Sequence, residues 1–351
     1  MRKKSLTAMS IALLASFSLV GCTSVQKVHK VQAVPAPAYS RGMTLEWEKD
    51  IKKQALTMIQ GSQHYVYLDI YELSDADILQ ALINAHQRGV DVRVVVDATE
   101  QHSQKTAVPA LKHAGIPVES LHIHEGISHI KMLITDGAAR GVLIGGMNFG
   151  QHSWSNNDAS VYISHPNPSY LAVFRWDWKR AGGQPAAAPS TQMPLLIDRQ
   201  IGPHVVQAIA HAEKSVELEG FDISDWNVIS ALKMDVKRGL RVEVLLDPNQ
   251  SLNRRASDEL RDAGVTVRFY RPYHYEWMHA KIVDIDKGRI FIIGSANFSH
   301  QAYTYNHEGD LELYNVPAFN QALVKNMSIQ LARGTDYPKA EKYKQSRSDD
   351  H

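Results

Sequence analysis

Cysteine is nearly absent: Cys22 is the only one in 351 residues, so no disulfide can form within the chain. An excess of charge of one sign is also missing. The 38 basic and 37 acidic residues give a formal net charge of +1, which excludes the strong basic field of a bulk nucleic-acid binder but leaves room for a local basic groove. The apolar stretch within 5–20, including IALLASFSLV, is too short to span a membrane comfortably. What the chain does have is length enough for two ordinary domains and 44% hydrophobic residues, which suffices for a sizeable core and argues against wholesale disorder.

Arg2, Lys3 and Lys4 precede the apolar stretch, the layout of a secretory signal. It ends in Leu19-Val20-Gly21-Cys22, which resembles the lipobox of bacterial lipoproteins. Residues 1–22 are expected to be a signal peptide, with Cys22 lipidated and anchoring the protein in the bacterial envelope, at the outer membrane if the cell has one. Removing 1–22 takes away three basic residues and leaves 35 basic against 37 acidic, formally −2. Residues 23–43, with Pro35 and Pro37, read as a tether.

The remainder repeats itself. YLDIYELSDADILQALINAHQRGVDVRVVVD (67–97) aligns with ELEGFDISDWNVISALKMDVKRGLRVEVLLD (217–247) at an offset of 150. Ser74-Asp75, Arg88-Gly89 and Asp97 thus fall on Ser224-Asp225, Arg238-Gly239 and Asp247. Two domain-sized copies follow, 44–182 and 195–335, joined by a Pro- and Ala-rich linker, 183–194, and trailed by a polar tail, 336–351. Within each copy β-branched runs alternate with helical periodicity, which predicts α/β layers around a mixed sheet.

ISHIKMLITDGAARGVLIGGMNFG (127–150) and WMHAKIVDIDKGRIFIIGSANFS (277–299) carry the polar residues of interest. On a strand, i and i+2 share a face, so His129 should project with Lys131, and His279 with Lys281. Asn148 and Asn297 follow small pairs, Gly145-Gly146 and Gly294-Ser295, where a ligand could approach the backbone. If the copies pack with these faces together, one cavity holds two His, two Lys and two Asn. That set suits a phosphodiester: lysines neutralise phosphoryl oxygens, amides donate hydrogen bonds, one imidazole attacks and the other moves the proton. His122, His124 and His129 could be zinc ligands by count, but the repeat preserves His-x-Lys rather than His-x-His, so no metal is expected. RFYRPYHYEW (268–277) offers aromatics and arginines for bases or a lipid headgroup, or simply for loop packing.

Two copies of HxKxxxxD, His129–Lys131–Asp136 and His279–Lys281–Asp286, each with a downstream asparagine, resemble the phospholipase D superfamily over about residues 44–335. The resemblance implies two tandem domains with the active site at their pseudo-twofold interface and a phosphohistidine intermediate formed without a cofactor. It also implies that His129 attacks and His279 serves as acid and base, although sequence physics alone leaves the two equivalent. Lys131, Lys281, Asn148 and Asn297 would bind phosphate. A downstream acid that orients a histidine would be Glu308 in the second copy and, with a shorter reach, Asp158 in the first. Asp136 and Asp286 join the catalytic set through the motif, yet their places beside turns suit them to bond the turn backbone. The first expectation is a monomeric phospholipase D-type hydrolase acting on phospholipid. A nuclease on DNA or RNA is the alternative, and a cardiolipin synthase-like transferase or an inert binding protein ranks behind.

Overall fold

A computed structural model describes residues 42–138, 140–271 and 276–333. The signal, Cys22, the tether up to residue 41 and the tail lie outside them. In the first half, β1 (Met43–Trp47), α1 (Lys49–Gly61), β2 (Tyr65–Ile70), α2 (Ala76–Gln87), β3 (Asp91–Asp97), α3 (Val108–His113), β4 (Val118–Leu121), β5 (Lys131–Thr135), β6 (Gly141–Gly145), β7 (Ala159–Ile163) and α4 (Ser169–Ala181) follow in order. The second half repeats them as β8 (Leu195–Ile197), α5 (Ile201–Ala210), β9 (Ser215–Gly220), α6 (Trp226–Lys237), β10 (Arg241–Leu246), α7 (Ser251–Asp262), β11 (Thr266–Phe269), β12 (Lys281–Ile285), β13 (Ile290–Gly294), α8 (His300–Thr304), β14 (Gly309–Tyr314) and α9 (Pro317–Arg333).

Each half builds a seven-stranded sheet, ordered β1-β7-β6-β5-β2-β3-β4 in the first and β8-β14-β13-β12-β9-β10-β11 in the second. β2, β3 and β4 pair in parallel, as do β9, β10 and β11, while the remaining pairs are antiparallel. The expected mixed α/β sheet is therefore present twice. The repeat residues explain the helices between the strands. Asp75 caps α2 by accepting from the N–H groups of Asp77 and Ile78 (both 3.0 Å), and Asp225 does the same for Asn227 and Val228. Gly89 and Gly239 close these helices at φ +88° and +87°, where a side chain would be strained. The leading pair β1–α1 and its repeat β8–α5 lie before the aligned stretches 67–97 and 217–247 and are not foreseen from them.

Strand alternation decides how the halves join. In β5, Leu133 faces its own helices, whereas Met132 and Ile134 face the other sheet. In β12 and β13, Val283 and Ile292 turn to their own helices, while Ile282, Phe291 and Ile293 meet the first sheet's face. Both faces of the central strands are thus buried, which is why KMLIT and IFIIG read as nearly continuous apolar runs. No helix among the described residues is long and apolar enough to cross a membrane.

Because one apolar cluster belongs to both halves, they should unfold together. Phe291, fully buried with its edge against Phe319 (5.6 Å between centroids), is a test. Phe291→Ala should cost about 3–5 kcal/mol. Urea unfolding followed by tryptophan fluorescence should remain a single transition, and two separate transitions would show that the cluster does not couple the halves.

Candidate active site

The carboxyl end of β3 starts the construction. Asp97 Oδ2 accepts from the backbone N–H of Ser128 (2.6 Å), and Asp247, at the end of β10, accepts likewise from Met278 (3.1 Å). The residue before each histidine is thereby pinned to its own sheet. The histidine itself is tied to the other half. His129 N–H donates to the His307 carbonyl (2.8 Å), and His279 N–H donates to the Asn157 carbonyl (3.0 Å). Short parallel bridges, Ser128 with His307 and Asn157 with Met278, frame these bonds.

This stitching places each acid beside the opposite histidine. His129 Nδ1 lies 3.0 and 3.1 Å from the two carboxylate oxygens of Glu308. His279 Nδ1 lies 2.6 Å from Asp158 Oδ2. The shorter side chain of Asp158 was expected to reach less far; the Asn157–His279 backbone bond brings its main chain close enough to make the contact. Ser295 Oγ (2.5 Å) and Asn306 Nδ2 (3.0 Å) also bond Glu308, and both acids are fully buried. A carboxylate on Nδ1 fixes the Nδ1–H tautomer and reserves Nε2 for the cavity.

Glycines of the small pairs before the asparagines stand against buried carboxylates. A Cβ on Gly146 would stand 2.3 Å from Asp158 Oδ1, and one on Gly294 would meet the Asp310 carboxylate at 2.0 Å.

The strands begin only at Lys131 and Lys281, so each histidine sits two residues before its strand and the lysine lies beneath it. Lys131 Nζ donates to the His129 carbonyl (2.6 Å) and rests 5.1 Å from the Tyr71 ring centroid. Lys281 bonds the His279 carbonyl and rests 5.1 Å from the Phe221 ring. Tyr71 and Phe221 also flank His129 and His279, at 5.0 and 4.9 Å between ring centroids.

Burial holds Lys131 well below the usual ammonium range and brings Lys281 to about 8. Burial and the Lys281 charge bring His279 to about 4 against the pull of Asp158, and burial also lowers His129 despite Glu308. Burial alone would raise Glu308, but His129, Lys131 and Ser295 take it down to about 2.

A cavity of about 480 Å³ opens over this array, lined by Tyr71, His129, Asn148, Phe221, His279 and Asn297 among others. Among the described residues, the Oδ1 atoms of Asn148 and Asn297 are buried without a hydrogen-bond partner. From 268–277, Trp277 stacks on Phe221 and lines the cavity, Tyr270 enters the core, and 272–275 lie outside the described residues.

Asp136 and Asp286 stand apart from this group, about 16 Å along β5 and β12 from the lysines. Asp136 accepts from the N–H groups of Gln63, His64 and Tyr65, and Asp286 from those of Glu213, Lys214 and Ser215. Their carboxylates anchor the turns before β2 and β9, so contact with substrate at the cavity does not apply to them. Nor are His122, His124 and His129 gathered as ligands. Among the described residues the group close enough to share an ion is Asp69, Asp177 and His307, with donor atoms within 4.8 Å of one another.

That group went unread in the sequence, although FRWDWKR (174–180) and YNHEGDLEL (305–313) carry two of its members. His307 is buried, with Nδ1 2.7 Å from Asp198 and Nε2 3.0 Å from Asp177. Two carboxylates on one ring call for two N–H donors, and they raise His307 well above the usual imidazole range although burial opposes it. Asp69, whose pKa burial and the Asp177 charge raise well above the usual carboxyl range, completes the cluster. Asp198 also accepts the Glu308 N–H (3.1 Å), so this buried imidazolium holds the segment that presents Glu308 to His129.

Two outcomes follow. His307→Gln removes one member of a buried ion cluster and should cost about 3–5 kcal/mol in urea unfolding. A raised imidazole pKa stabilises fully below about 6.5 and loses that contribution as pH rises through the folded value. The stability gap between wild type and variant should therefore narrow toward alkaline pH, and a constant gap would contradict the charged form. Gly146→Ala should displace Asp158 and lower kcat/KM on a chromogenic phosphodiester about tenfold or more; unchanged kinetics would show that Asp158 does not orient His279.

Residues 55–178 and 205–329 each match the family described as "Cardiolipin synthase, PLD-like domain". Cardiolipin synthase of Halalkalibacterium halodurans is 26% identical over 311 residues, covering 75% of this chain and 60% of that protein. Phospholipase D of Rickettsia conorii is 33% identical over 105 residues, 30% of this chain and 51% of that one. The chain spans about six tenths of the length of the curated synthases it matches. Among solved structures, phosphatidylserine synthase of Haemophilus influenzae superposes with a TM-score of 0.64 at 14% identity, over 86% of this chain and 89% of that one. Polyphosphate kinase of Porphyromonas gingivalis gives 0.60 at 16% identity, over 86% and 49%. At these identities the likeness is one of fold. The twofold family match, with its paired histidine motifs meeting across one interface, makes this chain a member of the phospholipase D superfamily.

Proposed function

We propose that the chain is a phosphatidyltransferase of the cardiolipin synthase kind, moving a phosphatidyl group from one phospholipid to an alcohol through a phosphohistidine. The observation that carries the reading is the crossed pairing of His129 with Glu308 and His279 with Asp158, which leaves two Nε2 atoms for one cavity. Nε2 of His129 attacks phosphorus, and the P–O bond to the leaving alcohol breaks as His279 supplies its proton. His279 then takes the proton of the incoming alcohol, whose oxygen bonds phosphorus as the P–N bond breaks. Two buried lysines and the two asparagines offset charge on the phosphoryl oxygens.

The sequence ranked hydrolysis first and synthase-like transfer behind it. The family description and the relatives named cardiolipin synthase favour the reverse order, with lipid synthesis ahead of degradation. Water intercepting the same intermediate would give hydrolysis. Lipidation at Cys22, outside the described residues, would hold the site near phospholipid in the envelope.

Purified protein with phosphatidylglycerol vesicles should form cardiolipin and free glycerol, with EDTA present or absent. Phosphatidic acid as the main product would return the reading to hydrolysis, and cleavage of plasmid DNA without lipid turnover would favour a nuclease. His129→Asn and His279→Asn should each lower turnover about 100-fold or more. With a p-nitrophenyl phosphodiester, His279→Asn should accumulate label on His129; label on His279 in His129→Asn instead would exchange the two roles.

A further inference from the structure

The buried cluster behind Glu308 has a counterpart behind Asp158, and the two are built from different chemistry. Behind Asp158 stand Glu219 of β9, Asn157 and Asn326 of α9. Asn157 Nδ2 donates to Glu219 Oε2 (3.2 Å), and Asn326 Nδ2 donates to Asn157 Oδ1 (2.8 Å). Side-chain amides supply the donors there. Behind Glu308 the corresponding places fall to Asp69 of β2, His307 and Asp177 of α4, at offsets of 150, 150 and 149. Where one cluster has two amides, the other has an imidazole and a second carboxylate.

Asp69 is the member that the protein leaves without a donor. Its side chain is fully buried, and neither carboxylate oxygen has a hydrogen-bond partner among the described residues. It faces Asp177 and His307, with one donor atom from each of the three residues within 4.8 Å of the others. Two carboxylates that converge on one ring nitrogen, away from water, call for a positive centre between them.

We propose that Asp69, Asp177 and His307 bind one divalent transition-metal ion, zinc by its donor set, which ties the two halves together beside Glu308. An imidazole nitrogen with carboxylate oxygens and no thiolate is a set that zinc accepts. His307 Nε2 and Asp177 Oδ2 stand 3.0 Å apart, close to the edge of about 3.3 Å in a tetrahedron with metal bonds of about 2.0–2.1 Å. Both oxygens of Asp69 are unengaged, so this residue can fill the two remaining positions.

The surroundings hold the ligands as a metal site requires. His307 Nδ1 lies 2.7 Å from Asp198, and a carboxylate there orients an imidazole whose other nitrogen meets an ion. Arg180 bonds Asp177 Oδ1, leaving Oδ2 for the ion, and rests 3.6 Å from the Trp176 ring centroid. Trp176 in turn meets the His307 ring edge-on, at 5.5 Å between centroids. In the bound form the ion displaces the Nε2 proton, and the imidazole keeps its Nδ1–H on Asp198. Without the ion, the Nε2 proton of the imidazolium bridges to Asp177 in its place. Asp69, Asp177 and His307 are all buried, and none is among the residues that line the cavity. The ion is therefore structural: it fastens the segment that carries Glu308 and takes no part in the phosphoryl chemistry.

The experiment uses the full chain without an affinity tag, purified from cells grown with added zinc chloride and dialysed against EDTA to strip ions held at the surface. Elemental mass spectrometry should find about one zinc per chain in the wild type. X-ray absorption at the zinc edge should show one imidazole with oxygen neighbours at about 2.0–2.1 Å and no sulfur. Asp69→Asn keeps the shape of the side chain and should lower the zinc content about tenfold or more. Glu219→Gln alters the counterpart cluster and should leave the zinc content unchanged.

Wild type free of zinc would overturn the site and leave the cluster held by protons alone. Zinc retained in Asp69→Asn, or sulfur in the absorption spectrum, would place the ion at a surface histidine or at Cys22 and overturn it equally. A loss in Glu219→Gln as large as in Asp69→Asn would show that a loosened interface sheds the ion, and would overturn the assignment to Asp69. If Asp69→Asn does not fold, the wild-type spectrum is the test, and any shell other than one imidazole with oxygens overturns the site.

Discussion

Each motif imidazole takes its carboxylate from the other half of the chain. Glu308 on His129 and Asp158 on His279 are buried, charge-assisted contacts, and neither can form within one copy. The rest of the structure serves this exchange. The shared apolar cluster presses the two sheets together, and five backbone bonds between 127–129 or 277–280 and the segments ending at Asn157 and His307 set the register. A displacement of about an ångström would leave a buried carboxylate unpaired, which costs several kcal/mol.

The same arrangement poises the electrostatics. Two ammonium groups and two imidazoles share a dry interior with two carboxylates, and burial pushes all four nitrogen bases toward their neutral forms. A phosphodiester anion supplies the missing negative charge, so its arrival favours the protonated lysines and a protonated histidine when the acid is needed. The cavity is thus built around a charge that the protein itself does not provide.

Near-symmetry hides paired differences. The shorter Asp158 lies against Gly146, where no side chain fits, whereas the longer Glu308 is met by Ser295, whose hydroxyl bonds it. Behind the acids, Asn157 bonds Glu219 (3.2 Å), while its counterpart His307 is a buried cation between Asp177 and Asp198. Equivalent positions in the two halves carry different residues, and the two histidines end in different surroundings although their motifs read alike.

The sequence by itself determined the duplication, the mixed sheets and the chemical set of histidine, lysine and asparagine, because each is a local pattern: an offset of 150, alternation along a strand, a motif of eight residues. It also pointed to Asp136 and Asp286 as turn anchors, since acids at strand ends bond nearby N–H groups. Other contacts were settled only by the tertiary structure. Which acid serves which histidine, why glycine precedes Asn148, how Asp97 and Asp247 hold the histidine segments, and where the cavity extends all depend on contacts between residues 12 to 179 positions apart. A pattern of spacings carries no information about such contacts until burial of the two apolar sheet faces brings the halves together.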